Sequence, residues 1–149
     1  DREDTDLAEL TSQVVERFRR EADEHGVTLD VDADPVTTFV DPQRLGQVVT
    51  NLIANALGAV ADGDEIVVTV RPATLRERPA GCVEVRDSGH GIPADRVDAV
   101  FDRFHKGDGS SGSGLGLTIS RDLIVAHGGS IELRSELDVG TTVLVTVPA

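Results

Sequence analysis

The amino-acid sequence predicts an α+β domain, a two-layer sandwich with helices on one mixed, mostly antiparallel sheet. Helical runs, with apolar residues three and four positions apart, are mixed with strand-like runs joined mainly by hairpins, which is typical of this fold class. The glycine motif does not follow the first strand of a βαβ unit, which excludes a doubly wound fold. The sequence contains no GxxxxGKS or GxxxxGKT motif, so it is not a P-loop protein.

Length and composition are those of an ordinary globular domain. The 149 residues, 39% of them apolar, suffice for one domain with a core, and we expect residues 1–149 to form it. No apolar run approaches the ~18 residues that read as a membrane span. The net charge of −13 repels nucleic acid, and a bound polyphosphate would need Mg²⁺ and local donors.

The single cysteine and the first residue lead to expectations about the redox compartment and about the length of the parent protein. The single cysteine, Cys82, lies in an apolar strand-like run, so we expect a buried structural thiol, no disulfide framework and a reducing compartment. No secretory signal is visible and the chain begins with Asp1, so we expect a piece of a longer protein.

The first forty residues predict one helix and two strands. A helix from Asp6 to Glu24 carries a buried apolar stripe, with Thr5 as its cap and Gly26 as its end. Alternation over Val27–Asp32 predicts a half-exposed strand, and Phe39-Val40 predicts a shorter one.

A second helix begins at Asp41-Pro42, an acid followed by proline, and runs to about Val60. Asn51, Asn55 and Gly58 share one face of this helix because of their spacing. Asparagine is a poor residue for a helix interior, so the pair either caps a neighbouring loop or presents amide oxygens to a hydrated cation. The apolar positions of this helix are Leu45, Val48, Val49, Leu52, Ile53, Ala56 and Leu57.

The rest of the chain predicts strands, turns and two further helices. In order, these are a turn at Asp62–Asp64, a strand at Ile66–Val70, a loop at Arg71–Gly81, a strand at Cys82–Arg86, a short helix from Pro93 to about Phe101, a mobile segment at Lys106–Ser113, a helix at Leu115–Ala126 stopped by Gly128-Gly129, and a hairpin of Ser130–Arg134 with Thr141–Val147 around Asp138–Gly140.

The stretch from residue 87 to residue 117 carries the chemistry. Asp87 follows an apolar strand, and Gly89 and Gly91, which permit close backbone approach, come directly after it. A second glycine cluster opens onto a helix, whose unpaired N–H groups can bind an anion. Its members are Gly112, Gly114 and Gly116. One lone acid and one phosphate-compatible loop suit a nucleotide, the acid binding the base and the loop the phosphates.

Four motifs, taken in order, resemble the ATP-binding catalytic domain of bacterial sensor histidine kinases, in the superfamily shared with gyrase, Hsp90 and MutL. DPQRLGQVVTNLIANAL resembles the N box, DSGHGIP the first glycine box, VFDRF the F box and GSGLGL the second glycine box. AHGGSIELRSELDVGTTVLVTVP is similar to the closing strands of the family. The resemblance covers nearly the whole chain and implies the Bergerat-type ATP-binding fold, with ATP and Mg²⁺ as cofactors.

The resemblance also implies a role for each motif residue. Asp87 accepts a hydrogen bond from the exocyclic amine of adenine, Asn55 binds Mg²⁺ through its side-chain oxygen, and Asn51 positions the phosphates. Lys106 reaches the β- or γ-phosphate and completes a catalytic set with the two asparagines. The cofactor-binding set is Asn51, Asn55, Asp87, Gly89, Gly91, Ile92, Phe104, Lys106, Gly112, Gly114, Leu115, Gly116 and Leu117.

Two residues between the glycine clusters keep a second interpretation. The resemblance makes Phe101 and Phe104 anchors of a mobile lid, but Phe101 is equally well an ordinary core aromatic. Lys106 is either a phosphate ligand or a solvated loop lysine.

The sequence departs from the family pattern at three places. Gly58 stands where the family often has a lysine, and Ala59 replaces the aromatic residue that follows. The lid after Phe104 is short. These departures bear on the affinity for ATP more than on its recognition.

The phosphoacceptor histidine is expected outside this chain. None of the four histidines lies in a motif typical of a phosphoacceptor helix: His25, His90, His105 and His127. The resemblance therefore implies phosphoryl transfer to an upstream dimerisation and phosphoacceptor domain, with a response-regulator receiver domain as second partner. It implies a cytoplasmic domain without nucleic-acid or direct membrane contact, in a parent protein anchored in the membrane.

Other activities of the same superfamily remain open at this point. Its ATPases use a glutamate four residues before the Mg²⁺-binding asparagine, and that position here is Asn51, which cannot act as a base at neutral pH. Anti-sigma-type serine kinases also tend to carry an acid there. A degenerate, regulatory nucleotide-binding module is the third alternative.

Overall fold

The computed structural model describes residues 1–91 and 113–149, and in these ranges it contains three helices and seven strands. The helices are α1 (Leu7–Glu24), α2 (Pro42–Ala59) and α3 (Ser113–Ala126). The strands are β1 (Glu3–Asp6), β2 (Thr28–Ala33), β3 (Thr37–Val40), β4 (Glu65–Leu75), β5 (Arg78–Asp87), β6 (Ser130–Glu136) and β7 (Gly140–Pro148). The expected short helix from Pro93 and most of the expected mobile segment lie outside these ranges.

Five strands form one sheet in the order β2-β4-β5-β7-β6. The β2–β4 pair is parallel and the other three pairs are antiparallel. Alternate residues of the central strands, such as Val83 and Val145, are buried with the apolar residues of the helices in one core. Their neighbours Glu84 and Thr146 are more exposed. The sheet is therefore mixed and mostly antiparallel, with the helices on one face, which confirms the expected α+β class.

Helix α1 begins one residue later than expected because Asp6 is its cap. The Asp6 carboxylate accepts hydrogen bonds from the backbone N–H groups of Ala8 (3.0 Å) and Glu9 (3.3 Å), which satisfies two free donors of the first turn. The predicted cap, Thr5, was wrong: it lies in β1. Gly26 follows the helix with a φ of +69°, as expected for the residue that ends it.

Helix α2 follows the sequence prediction closely. Asp41 caps it through the N–H groups of Gln43 (3.0 Å) and Arg44 (3.2 Å), and proline occupies its first turn. All seven predicted apolar positions are buried. Since a fully buried aliphatic side chain stabilises by about 1.5–3 kcal/mol, this face fixes α2 on the sheet and fixes the direction of the asparagine face.

The segment Arg71–Gly81 is not the loop that its two prolines predicted. It forms the outer halves of β4 and β5, joined by a two-residue turn in which Arg76 and Glu77 have φ of +52° and +66°, as in a type I′ hairpin. Pro72 lies beyond Val70, the last position of β4 paired with β2. Pro79 likewise precedes the part of β5 that pairs with β7. Both prolines therefore lie where the strand has a neighbouring strand on one side only, a position at which the N–H group that proline lacks is not required.

Two smaller features also differ from the sequence prediction. Strand β1 was not predicted; it pairs antiparallel with β3 as a separate two-stranded ribbon. Cys82 is only half-buried, because it alternates with Val83 and Val85 and faces away from the helices. Burial still raises the pKa of the Cys82 thiol above its ordinary value.

The C-terminal elements match their prediction. Helix α3 ends at Ala126 and is followed by Gly128 with a φ of +78°, and β6 and β7 form a hairpin around Asp138, whose φ is +64°. Within the described part of the chain, no helix combines the length and the apolar character needed to cross a membrane.

Candidate functional site

Asp87 is the last residue of β5 and is almost fully buried, with 7% of its surface exposed. Its neighbours in the sheet are Ile66 of β4 and Thr141 of β7. Burial raises the pKa of the Asp87 carboxyl above its ordinary value, and the backbone N–H groups of Gly89 and Thr141 oppose that rise. The strand end thus presents an acceptor that is costly to leave without a partner.

The five residues Asp87–Gly91, here called the base loop, are held by backbone hydrogen bonds on several sides. Gly89 N–H donates to the Asp87 carboxylate (2.9 Å). Ser88 N–H donates to the carbonyl of Glu65 (3.0 Å), and His90 N–H donates to the carbonyl of Ala59 at the end of α2 (3.2 Å). The loop is therefore tied both to β4 and to the helix that carries the two asparagines.

Both glycines of the base loop are required by close backbone contacts. A Cβ on Gly89 would clash with the carbonyl oxygen of Ala59, and a Cβ on Gly91, whose φ is +71°, would clash with that of Glu136. Glycine is the residue that permits such an approach. Both contacts are with protein backbone, so the expectation that these two glycines let the chain pass a nucleotide base stays a prediction.

The predicted asparagine face lies on α2 as expected, with Asn51 and Asn55 both half-buried. The side-chain nitrogen of Asn55 is buried and has no hydrogen-bond partner among the residues that the structure describes. A buried donor without a partner costs free energy, so a ligand acceptor such as a phosphate oxygen would satisfy it, leaving the amide oxygen for a cation.

A magnesium ion at Asn55 would have to be held mainly by a bound nucleotide. In residues 1–91 and 113–149 there is no cluster of three or more acidic, histidine or cysteine side chains that could hold a metal alone. Mg²⁺ typically takes one or two protein oxygens and completes its shell with phosphates and water. One amide oxygen from Asn55 is consistent with that pattern.

The second glycine cluster is placed differently from its prediction. Helix α3 begins at Ser113, so Gly114, Leu115 and Gly116 belong to its first turn instead of a loop before it. The free N–H groups of that turn are suited to an anion. Leu117, predicted as a ligand contact, is buried in the core with 6% exposure, which is a packing position. The site residues outside the described ranges are Ile92, Phe101, Phe104, Lys106 and Gly112.

Gly58 lies near the end of α2. Outside its own stretch of helix, no described atom lies within 4 Å of the position that a Cβ would occupy on this residue. Gly58 also lines a cavity of about 370 Å³ together with Ala59, Gly89 and His90. Because this cavity borders the base loop, a longer side chain at residue 58 would lie next to a ligand bound beside that loop.

Sequence reasoning missed the contribution of the β6–β7 hairpin. Thr141 lies opposite Asp87 in the sheet, and the preceding Gly140 lies so close that a Cβ there would clash with the Asp87 carbonyl oxygen. The signal in the sequence was Gly140 at the end of the predicted turn, directly before the strand predicted from Thr141. Nothing in the local pattern indicates which strand end it approaches.

The larger of the two described cavities, about 460 Å³, lies at the end of the sheet where β5 reaches Asp87. It is lined by Arg86, Arg134 and Thr142 among others, and these three residues lie in one cross-strand row. Arg86 and Arg134 alternate with the buried Val85 and Leu133, so the row faces away from the helices. The lining also includes Asp87 and Ser88, and neither described cavity is lined by Asn51 or Asn55. We place the candidate site on the α2 side because Asp87 is buried in alternation with Val83 and Val85, on the face of the sheet that packs against the helices.

The fold and this site define an α+β nucleotide-binding domain with a buried acid at a strand end. Residues 40–149 match the family model described as histidine kinase-, DNA gyrase B- and HSP90-like ATPase. The chain belongs to this family, which confirms the resemblance drawn from the four motifs.

Within the family, the chain is similar to parts of sensor histidine kinases. It is 37% identical over 149 residues to the sensor protein SrrB of Staphylococcus aureus (strain MRSA252), covering 95% of this chain and 25% of that protein. The chain thus spans about a quarter of the length of the curated relatives it matches. The same 25% share holds for SrrB of strain NCTC 8325, which is 35% identical.

Solved structures show the same similarity in three dimensions. The catalytic domain of the histidine kinase ThkA is 26% identical with a TM-score of 0.87, covering 99% of this chain and 95% of that one. The mycobacterial sensor histidine kinase MprB is 26% identical with a TM-score of 0.85, covering 99% and 97%. Full-length ShkA in complex with AMPPNP is 27% identical with a TM-score of 0.85, covering 99% and 31%. The chain is therefore an ATP-binding domain of the sensor histidine kinase type.

Proposed function

We propose that this domain binds Mg–ATP and delivers the γ-phosphoryl group to a histidine on a separate domain of a two-component sensor kinase. The observation that carries the proposal is Asp87, a buried carboxylate with a raised pKa at a strand end, in a chain of the histidine kinase-like ATPase family. The AMPPNP complex of the similar ShkA supports an adenine nucleotide as the ligand.

Base recognition follows from hydrogen-bond chemistry. The Asp87 carboxylate accepts from the exocyclic amine of adenine, whereas the corresponding carbonyl oxygen of guanine is an acceptor and is repelled. A charge-assisted bond of this kind contributes about 1.5–3 kcal/mol. Because the base loop is tied to β4 and to α2, the carboxylate is already oriented before the base arrives.

The phosphates lie, in this proposal, between the asparagine face of α2 and the first turn of α3. Asn51 and Asn55 position the phosphates, and Asn55 supplies one oxygen to Mg²⁺, which neutralises charge on the nucleotide when bound. Gly112, Gly114, Leu115 and Gly116 contribute backbone N–H groups, and Lys106 reaches the β- or γ-phosphate. The domain positions the reactants and neutralises charge, while the acceptor imidazole is the nucleophile.

The acceptor histidine and the other partners belong to the rest of the protein. Each described histidine has a local structural contact: His25 Nδ1 with the carbonyl of Glu21, His90 Nδ1 with that of Gly91, and His127 Nε2 with the N–H of Asp41. We therefore place the acceptor on an upstream dimerisation domain and the subsequent phosphoryl transfer on a receiver domain. We further propose that residues 1–149 form the catalytic domain on the cytoplasmic side of a membrane-anchored parent.

Isothermal titration calorimetry and phosphoryl transfer test this proposal. We expect the chain to bind Mg–ATP more tightly than Mg–GTP, to show no self-phosphorylation, and to phosphorylate the histidine domain of its parent when that domain is added. Equal affinity for ATP and GTP would contradict the base-recognition step. A steady-state ATPase rate near ~1 s⁻¹, abolished by Asn55→Ala, would instead favour the ATPase activity of the same superfamily.

A further inference from the structure

The tip of the β6–β7 hairpin, residues Glu136–Gly140, is packed against the base loop at three points. Asp138 N–H donates to the carbonyl of His90 (2.7 Å). Gly91 leaves no room for a Cβ against the carbonyl oxygen of Glu136, and Gly140 leaves none against that of Asp87. The tip therefore contacts the first residue of the base loop and its last two residues.

The hairpin tip is itself held in one conformation. Val139 N–H donates to the carbonyl of Glu136 (3.0 Å), and the Ser135 hydroxyl donates to the carbonyl of Gly140 (3.1 Å). Asp138 and Gly140 have φ of +64° and +148°, in the region that most residues avoid. Because these hydrogen bonds hold the tip in one conformation, a shift of the tip would also shift the base loop that it contacts.

Apart from its bond to β4, the base loop is supported by the end of α2. His90 N–H reaches the carbonyl of Ala59 at the end of α2, and Gly89 packs on the same carbonyl. The loop thus lies between the end of α2 and the hairpin tip. Because Gly140 packs on the Asp87 carbonyl itself, a shift of the hairpin tip would shift the Asp87 backbone, and the carboxylate moves with it.

We propose that the hairpin tip is a positioning element for base recognition, and that Gly140 is the residue through which it sets the place of the Asp87 carboxylate. This inference rests on the proposed function, because it takes the Asp87 carboxylate as the group that reads the base. In this proposal Gly140 is a positioning residue that acts through its contact with the Asp87 backbone.

The test compares binding of Mg–ATP and Mg–ITP to the 149-residue chain and to Gly140→Ala. Inosine carries a carbonyl oxygen where adenine carries its amine, while the phosphates of the two nucleotides are the same. We expect Gly140→Ala to weaken ATP binding at least ~fivefold and to leave ITP within ~twofold, because only ATP depends on the position of Asp87. A defect confined to folding would lower both affinities together.

The matched control is Gly128→Ala. Gly128 also has a positive φ, +78°, but the nearest atom to a Cβ there is Pro148 Cγ at 3.7 Å. This variant introduces backbone strain without contact to the base loop, so its ratio of ATP to ITP affinity should equal that of the unchanged chain.

A second pair of variants decides the matter if Gly140→Ala does not fold. Asp138→Asn keeps a residue that tolerates positive φ, whereas Asp138→Val does not. We expect the valine variant to lower the ratio of ATP to ITP affinity and the asparagine variant to keep it. An unchanged ratio in Gly140→Ala, or in Asp138→Val where the alanine variant is unfolded, overturns the inference. An unchanged chain that binds ATP and ITP equally overturns the proposed function itself.

Discussion

The base loop and the end of α2 border the same cavity, yet their glycines have opposite surroundings. A Cβ on Gly89 would clash with the Ala59 carbonyl oxygen, one residue beyond Gly58. A Cβ on Gly58 would meet no described atom within 4 Å outside its own stretch of helix. The base-loop side of the site is closed by backbone contacts, whereas the described residues leave room for a Cβ at residue 58.

The difference shows that a glycine in a nucleotide-binding motif is not by itself a sign of tight packing. Gly89 and Gly91 are dictated by the backbone that passes beside them, so the geometry around Asp87 cannot change without moving two other elements. No contact in the described structure requires a glycine at residue 58. We therefore expect base recognition to be sensitive to small changes, and the neighbouring end of α2 to tolerate large ones.

The largest effect is expected from removing the acid on the closed side. Asp87→Ala should weaken Mg–ATP binding at least tenfold, corresponding to the ~1.5–3 kcal/mol of a charge-assisted hydrogen bond. Calorimetry with ATP and ITP measures it, and the ITP affinity should change little because the inosine carbonyl gains nothing from the carboxylate. If Asp87→Ala binds ATP as tightly as the unchanged chain, Asp87 does not recognise the base.

A pair of identical substitutions tests the comparison directly. Gly89→Ala should lower the free energy of unfolding by ~1–3 kcal/mol, because a methyl group is forced against the Ala59 carbonyl. Gly58→Ala should raise it by up to ~1 kcal/mol, because alanine is the better helix former and has room. Urea denaturation of both variants gives the two values. Equal effects in the two variants would show that the two sides do not differ.

The sequence predicted the helices and the strand that ends at Asp87 because their signals are local. Asp41-Pro42 and the apolar spacing that follows determine α2 without reference to the rest of the chain. The hairpin at Arg76-Glu77 was missed because its turn lacks the usual Asn-Gly pair and its prolines lie on unpaired edges. The roles of Thr141 and Gly140 depend on which strands become neighbours, and that is decided by the whole sheet.

The raised pKa of Asp87 predicts opposite pH dependences for stability and for base recognition. The folded chain holds this proton to a higher pH than an unfolded chain, where the ordinary value is 3.8. The contribution of Asp87 to stability is therefore greatest below 3.8, declines as the pH rises through the folded pKa, and stays low above it. The preference for ATP over ITP should instead be lost as the pH falls through that same range, since the protonated acid no longer offers a charged acceptor.

Asp87→Asn is the control for this pH dependence. It should be at least as stable as the unchanged chain at pH 7 by thermal denaturation, because it removes a buried charge. Its ratio of ATP to ITP affinity should be low and flat with pH. Using the ratio removes the titration of the phosphates, which both nucleotides share. A ratio that stays constant with pH in the unchanged chain would contradict the assignment of Asp87 as the charged acceptor.

The smallest effect is expected on the open side, where Gly58→Lys should tighten ATP binding. Residue 58 lies one turn beyond Asn55 on the same face of α2, and no described atom outside its own stretch of helix lies within 4 Å of a Cβ there. The ammonium group would meet the phosphates at a partly solvated position, where such pairs contribute ~0–1 kcal/mol when exposed and more when dry. We expect about 1 kcal/mol, or near fivefold in affinity.

Three comparisons distinguish a lysine–phosphate contact from a general effect of the substitution: ATP with ADP, low with high salt, and lysine with uncharged glutamine. The gain should shrink with ADP, which lacks the γ-phosphate, and with added salt, which screens exposed charges. Gly58→Gln, similar in shape but uncharged, should show almost none of it. Because a Cβ at this residue has open space around it, a loss of folding in Gly58→Lys is not expected. If the lysine variant binds ATP more weakly than the glutamine variant, the phosphates do not pass beside this end of α2.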